Sequence, residues 1–430
     1  MPDKILKLGE GVEGLFIKNT RFNTTRISAN FYLPLEAQTV AEYALLPFIL
    51  TTCSKKYPDF SRLNYKLNRL YGASLDASAE KYGDYQLLRI TLSVINDRFS
   101  LDEESLARRG AELLCGLIFE PSIENNAFLK ADLDREKRKV IEHIKGEFSE
   151  KRIYAKNRLI EEMYKGEAYG LPKCGSIEDV EKITGESLCS AWKKMLETAF
   201  VRFHVVGSEI PQGLFEVITE KFSEVQRKNI IEPTKTAPTL ARTRSKTITE
   251  NIDVNQGKLV MGFSSEVYGN DDKSLSLLVA GDIFGGGPYS RLFSNVREKM
   301  SLCYYCSART VRQKGLLTVE SGIENENAEK AQKAILNQLK IVKAGKFSDF
   351  EFESSKKSIC DSLKGYNDSQ QSIDMWYALK INNDEIYSPE DIAEKISAIT
   401  REDVIKAAEG IKLHTVYKLL PLEAKESEGK

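Results

Sequence analysis

Asp282–Thr310 reads DIFGGGPYSRLFSNVREKMSLCYYCSART. Gly285, Gly286 and Gly287 free the backbone for a positive φ or a close approach, and Pro288 follows them. A helix then starts, with Ser290 placed to cap its first turn. At about 100° per residue, Leu292, Phe293, Val296 and Met300 form one apolar stripe; Arg297 flanks it, while Arg291 and Glu298 point away. From Leu302 the residue types become those of a strand, in which Tyr304 and Tyr305 project to opposite faces. An arginine on a helix and a tyrosine on the next strand are thus held beside a glycine turn. A glycine loop before a helix also suits phosphate, but no G-x-x-x-x-G-K-[ST] is present. Cys303-x-x-Cys306 reads either as a redox or metal pair or as two small strand residues.

Outward from this stretch the chain repeats itself. RISANFYL (26–33) pairs with GKLVMGFS (257–264), and RFHVVG (202–207) with HTVYKL (414–419). The hairpin Ser74–Ala79 with Tyr85–Val94 pairs with Tyr304–Arg309 and Gly315–Gly322. Helices are expected over Val40–Cys53, Asp59–Leu70, Ser100–Ile118, Asn126–Arg158, Asp179–Lys194, Lys273–Phe284, Tyr289–Met300, Ala328–Ala344 and Ser348–Leu363. The pattern is a tandem duplication of a β-α-α-β-β-α-α unit. It predicts an α+β fold of two homologous halves, each a mainly antiparallel sheet with helices packed on one face. The expected division is 1–226, a linker at 227–245 rich in proline, threonine and basic residues, and 246–430.

The run G-G-G-x-x-S-R-L-F-x-x-x-R-E-K-x-x-L-x-Y resembles the C-terminal-domain signature of the insulinase (pitrilysin-type) metallopeptidase family. The resemblance extends to the duplicated architecture and so covers nearly the whole chain. It implies that Arg297 and Tyr304 reach a substrate backbone opposite a zinc ion, with Gly285, Gly286 and Gly287 lining the substrate. It also implies a His-x-x-Glu-His helix in the first half, where two His at i and i+4 bind zinc and the Glu serves as base. Registered on that helix, YALLPFILTTCS (43–54) puts Ala44 and Phe48 at the histidine positions and Pro47 at the glutamate. None of these can ligate a metal or accept a proton. On the helix expected to supply the third ligand, Glu136 takes the first acidic position and His143 the ligand position. An improvised set of His143, Glu147 and Glu142 is a poor zinc site. His204 and His414 read as structural. No metal is therefore expected in this chain; zinc is expected in a partner subunit.

Bulk composition adds exclusions. Of 430 residues, 62 are basic and 63 acidic, a net charge of −1, so no general attraction to nucleic acid or anionic lipid follows. Met1–Gly14 lacks the apolar core of a signal peptide, and no apolar run approaches the roughly 20 residues of a membrane span. Seven scattered cysteines read as free thiols in the cytoplasm. Three functions remain. The first is a zinc-free subunit whose Arg297 and Tyr304 complete the site of a zinc-bearing family partner on a peptide. The second is a catalytically inactive homodimeric scaffold that holds peptides. The third is an enzyme using Cys303 or Cys306, for which no paired histidine is visible nearby in sequence.

Overall fold

The computed structural model describes residues 5–101, 104–233, 236–240, 242–269, 272–381 and 386–422. The chain opens with β1 (Leu6–Gly9), β2 (Val12–Lys18), β3 (Thr24–Pro34), α1 (Val40–Leu50) and α2 (Phe60–Arg69). The hairpin β4 (Ser74–Tyr82) and β5 (Tyr85–Ile95) precedes α3 (Leu106–Phe119), the short β6 (Ile123–Glu124) and β7 (Ala127–Phe128), and α4 (Lys130–Ser149). Then come α5 (Lys151–Met163), α6 (Ile177–Lys182), α7 (Gly185–Thr198), β8 (Phe200–Gly207) and α8 (Leu214–Ser223). From Lys246 the order begins again with β9 (Lys246–Ile252), β10 (Gly257–Ser264), α9 (Asp272–Gly285) and a π-helix (Leu292–Lys299). Next are β11 (Tyr305–Val311), β12 (Leu316–Ile323), α10 (Ala328–Lys343) and α11 (Asp349–Gly365). The chain closes with α12 (Gln370–Ala378), α13 (Pro389–Ala398), α14 (Arg401–Glu409) and β13 (Lys412–Pro421).

The two main sheets are one design used twice. The first has strand order β1-β2-β8-β3-β5-β4 and the second β11-β12-β10-β13-β9. Reversed, the first reads β4-β5-β3-β8-β2 and matches the second strand for strand, with β1 added at its edge. Only β2/β8 and β9/β13 are parallel among the described pairs, as a duplicated α+β unit requires.

Strand alternation builds the cores. On β3, Ile27, Ala29, Phe31 and Leu33 face one way and bury against Leu45 and Ile49 of α1 and Leu114 of α3. On β10, Leu259, Met261 and Phe263 do the same, with Phe263 edge-on to Phe284 of α9 at 6.5 Å. Each sheet also carries one helix on its other face: α12 on β3 and β8, and α5 on β10 and β13. These helices hold equivalent places in the repeats, yet each covers the sheet of the other repeat. The compact units are consequently interleaved in sequence. One comprises Met1–Lys145, Leu171–Thr234 and Tyr366–Ser388, the other Gly146–Gly170, Lys235–Gly365 and Pro389–Lys430. The contiguous division expected from the repeat marks its period but not these boundaries.

Four local expectations change. The helix foreseen over Asp179–Lys194 is two, α6 and α7, with Thr184 capping the second. The helix foreseen over Asn126–Arg158 is two, α4 and α5, because Glu150 ends the first and caps the second, accepting from Arg152 N at 3.3 Å. The helix foreseen from Ser100 starts at Leu106, behind the cap Ser105; residues 102 and 103 of that stretch lie outside the described residues. The stretch 227–245, of which 234, 235 and 241 lie outside the described residues, is anchored elsewhere. Arg227 Nε donates to the Glu10 carbonyl at 2.7 Å, and Thr239 N donates to the Lys314 carbonyl at 2.8 Å. No helix among the described residues is long and apolar enough to cross a membrane.

Candidate active site

The glycine turn works by close approach. None of Gly285, Gly286 and Gly287 has a positive φ. A Cβ on Gly285 would stand 2.6 Å from Ala308 N, so only glycine lets the end of α9 rest on β11. Tyr289 Oη donates to Asp282 Oδ1 at 2.6 Å and holds the turn closed.

The turn leads into a π-helix, not an α-helix. Met300 N donates to the Asn295 carbonyl five residues back, at 3.0 Å. The wider turn shifts the faces read from an α-helical wheel. Leu292 and Val296 are buried, Phe293 is half-buried, and Met300 is exposed, which corrects its place on the apolar stripe. Arg291 does not point away: Nε donates to Gln338 Oε1 at 2.9 Å and Nη1 to Glu351 Oε1 at 3.1 Å, pinning the helix start to α10 and α11. The Ser290 hydroxyl does not cap; it is buried with no hydrogen-bond partner.

Arg297 and Tyr304 both stay accessible. The Arg297 guanidinium stacks over the Phe293 ring at 4.6 Å with Nε 3.7 Å from Glu298, and its side chain is 39% exposed. Tyr304 is 57% exposed, although its neighbours Cys303 and Cys306 are buried. Its hydroxyl donates to Glu324 Oε1 at 3.0 Å, which pushes its pKa above the ordinary phenol value. The helix end and strand start are tied together by Leu302 N donating to the Val296 carbonyl and Tyr304 N to the Gly322 carbonyl. Arg297 and Tyr304 therefore flank one turn, at the head of the edge strand β11. Cys303 and Cys306 are free thiols; their mutual hydrogen bond holds the first down and the second up in pKa.

The positions of the zinc helix lie in the first unit. Ala44 is fully buried in the core, Pro47 is buried, and Phe48 packs half-buried against the same core. Glu136 is buried and paired with Arg135 at 3.0 Å and Lys139 at 2.9 Å. His143 is exposed on α4, and Glu147 accepts from Asn157 Nδ2 at 3.1 Å. Among the described residues no group of three or more His, Cys, Asp or Glu is arranged to hold a metal ion.

Over 408 residues, 95% of both chains, the sequence is 32% identical to the "Probable inactive metalloprotease YmfF" of Bacillus subtilis (strain 168). This chain belongs to the M16 peptidase family, the insulinase type. The family's "Peptidase M16 inactive domain" pattern matches residues 182–359. A crystal structure of a conserved protein from Enterococcus faecalis V583 shares the fold with a TM-score of 0.91 at 24% identity, over 98% of this chain and 99% of that one. A peptidase M16 inactive domain from Pseudomonas fluorescens gives 0.78 at 16% identity, over 98% and 99%.

One constellation in this M16 chain was not foreseen from its sequence. Asp374 of α12 is fully buried on the first sheet. It accepts from Arg26 Nε at 3.1 Å, Ser28 Oγ at 2.7 Å, His204 Nδ1 at 2.8 Å and, at a shorter distance, Arg89 Nη2. Burial alone would raise its pKa, but the Arg89 charge, the His204 hydrogen bond and the Arg26 charge outweigh it and hold the carboxyl below the usual range. Burial lowers His204, whose Nε2 has no partner. The missed signal was polar residues alternating along β3, β5 and β8, which reads as a solvated face unless a covering helix is found.

Proposed function

We propose that this chain is a zinc-free M16 subunit, inactive alone, that presents Arg297 and Tyr304 to a peptide at the zinc of a separate family subunit. The carrying observation is an asymmetry. The zinc-motif positions Ala44, Pro47 and Phe48 are apolar and built into a core, whereas Arg297 and Tyr304 remain accessible beside an edge strand. A peptide would add to that edge as a strand, near Gly285–Gly287. Arg297 and Tyr304 would donate to the substrate carbonyl and the developing oxyanion, Tyr304 after releasing Glu324. The seven free thiols support residence in the cytoplasm.

The alternative is a catalytically inactive homodimeric scaffold that holds peptides; the Tyr304–Glu324 hydrogen bond, which occupies the hydroxyl, favours its inactivity. The deciding experiment pairs the chain with the His-x-x-Glu-His protein that co-purifies from its own cells. Tyr304→Phe should lower peptide turnover by about 10²–10³ with assembly unchanged. An unchanged rate would remove Tyr304 from the reaction, and a chain that purifies only with itself would favour the scaffold. A chain that alone holds stoichiometric zinc and cleaves fluorogenic peptides would sink both readings.

A further inference from the structure

Helix α2 seats Leu63 and Leu67 in the core and turns its other residues outward. Beside it, toward α3 and the turn that carries Lys56, lies a cavity of about 550 Å³. Lys56, Arg62, Lys66, Arg69 and Arg109 line it together with Tyr57 and Tyr65, and the described lining contains no carboxylate. Arg62 is shared with Asp59 at 3.5 Å and Arg109 with Glu104. The side chains of Lys56, Lys66 and Arg69 make no ion pair or hydrogen bond with a described residue. Partial burial and the charges of Arg109 and Lys56 hold Lys66 below its ordinary pKa, against the opposing pull of Glu112. Lys66 and Arg69 complement the carbonyl end of α2, which is a structural role. That role accounts for neither the other three cations nor Tyr65, which is 65% exposed.

We propose that this groove binds a nucleoside polyphosphate. Lys56, Lys66, Arg69 and Arg109 would take the phosphates, and Tyr65 would stack on the base. Arginine forks and lysine point charges suit phosphate oxygens, and a flat ring suits an aromatic face. The volume is that of a small-molecule site, for which about 300–1,000 Å³ is usual. The cations converge on one cavity, with Arg62, Lys66 and Arg69 successive on one face of α2 and Lys56 and Arg109 beside them.

Calorimetric titration of the full chain with ATP, and separately with inorganic triphosphate, tests this. Both should bind saturably, with one site per chain. Lys66→Gln and Arg69→Gln should each weaken both ligands roughly tenfold or more, the loss of one charge-assisted contact. Tyr65→Ala should weaken ATP and spare triphosphate. All three residues reach the surface, so thermal unfolding should be close to wild type, which separates lost binding from lost folding. No saturable binding, or binding indifferent to Lys66→Gln and Arg69→Gln, would overturn the site. An unchanged ATP affinity in Tyr65→Ala would overturn the base contact. A single strand of about twelve nucleotides that binds more tightly than ATP, through the same residues, would replace the nucleotide with nucleic acid.

Discussion

Helices α5 and α12 occupy the same position in the two repeats and are held by different physics. On its sheet α12 is fastened by charge, with Asp374 bonded to Arg26, Arg89, Ser28 and His204 in full burial. Against β10 and β13, α5 is fastened by shape: Ala155 and Leu159 pack on Val260, Tyr417 and Leu419. A Cβ on Gly262 would come within 2.6 Å of Met163 Sδ, so the strand is bare of side chain where the helix lies closest. Its ion pairs are only partly buried, as with Arg152 and Glu320 at 2.7 Å, where the carboxylate is covered and the arginine is partly exposed. One architecture thus tolerates either an ionic or an apolar fastening, but the two should fail under different insults.

The largest effect should come from Asp374→Asn. Removing the charge leaves Arg26 and Arg89 buried without compensation, at about 3–5 kcal/mol. Urea unfolding with amide exchange should show α12 opening first; a loss under about 1 kcal/mol, the worth of a surface pair, would break the comparison. Next, Leu159→Ala should cost about 3 kcal/mol through lost burial and a cavity, and should open α5 while sparing α12.

Acidification should separate the two helices further. The folded-state pKa values of Asp374 and His204 both lie below their ordinary ones. Their stabilisation is therefore full above the unfolded values and lost as pH falls, below about 6.5 for His204 and about 4 for Asp374. Amide exchange at falling pH should open α12 before α5, and simultaneous opening would count against the distinction. The smallest effect is Arg158→Gln on α5. Its side chain is 33% exposed and its partners Glu161, Glu162 and Glu250 are themselves partly exposed, so the cost should stay within about 1 kcal/mol, as a melting curve would show.

Much of the fold was legible because strands advertise themselves. RISANFYL alternates at period two, and the hairpins pair at matching places in both halves. The helices α12, α13 and α14 were not read, and without α12 the polar face of β3 had no visible cover. The motif around Arg297 and Tyr304 was legible as residue types, but its geometry was not. A wheel drawn for an α-helix cannot anticipate a π-helix, so Arg291 looked idle when it anchors the helix to Gln338 and Glu351. Arg291→Ala should therefore loosen the helix itself, whereas exposed Lys299 can be changed without touching that anchor.

The interleaving of the units bears on how the protein is made. The first sheet gains its last strand, β8, at Gly207, but the helix that neutralises Arg26 and Arg89 arrives only at Gln370–Ala378. At roughly 5–20 residues per second the ribosome needs on the order of ten to thirty seconds to cover that distance. Throughout that interval the nascent first repeat carries an unmasked cationic face. Neither repeat expressed separately should behave as a finished domain, since each would lack the helix encoded in the other.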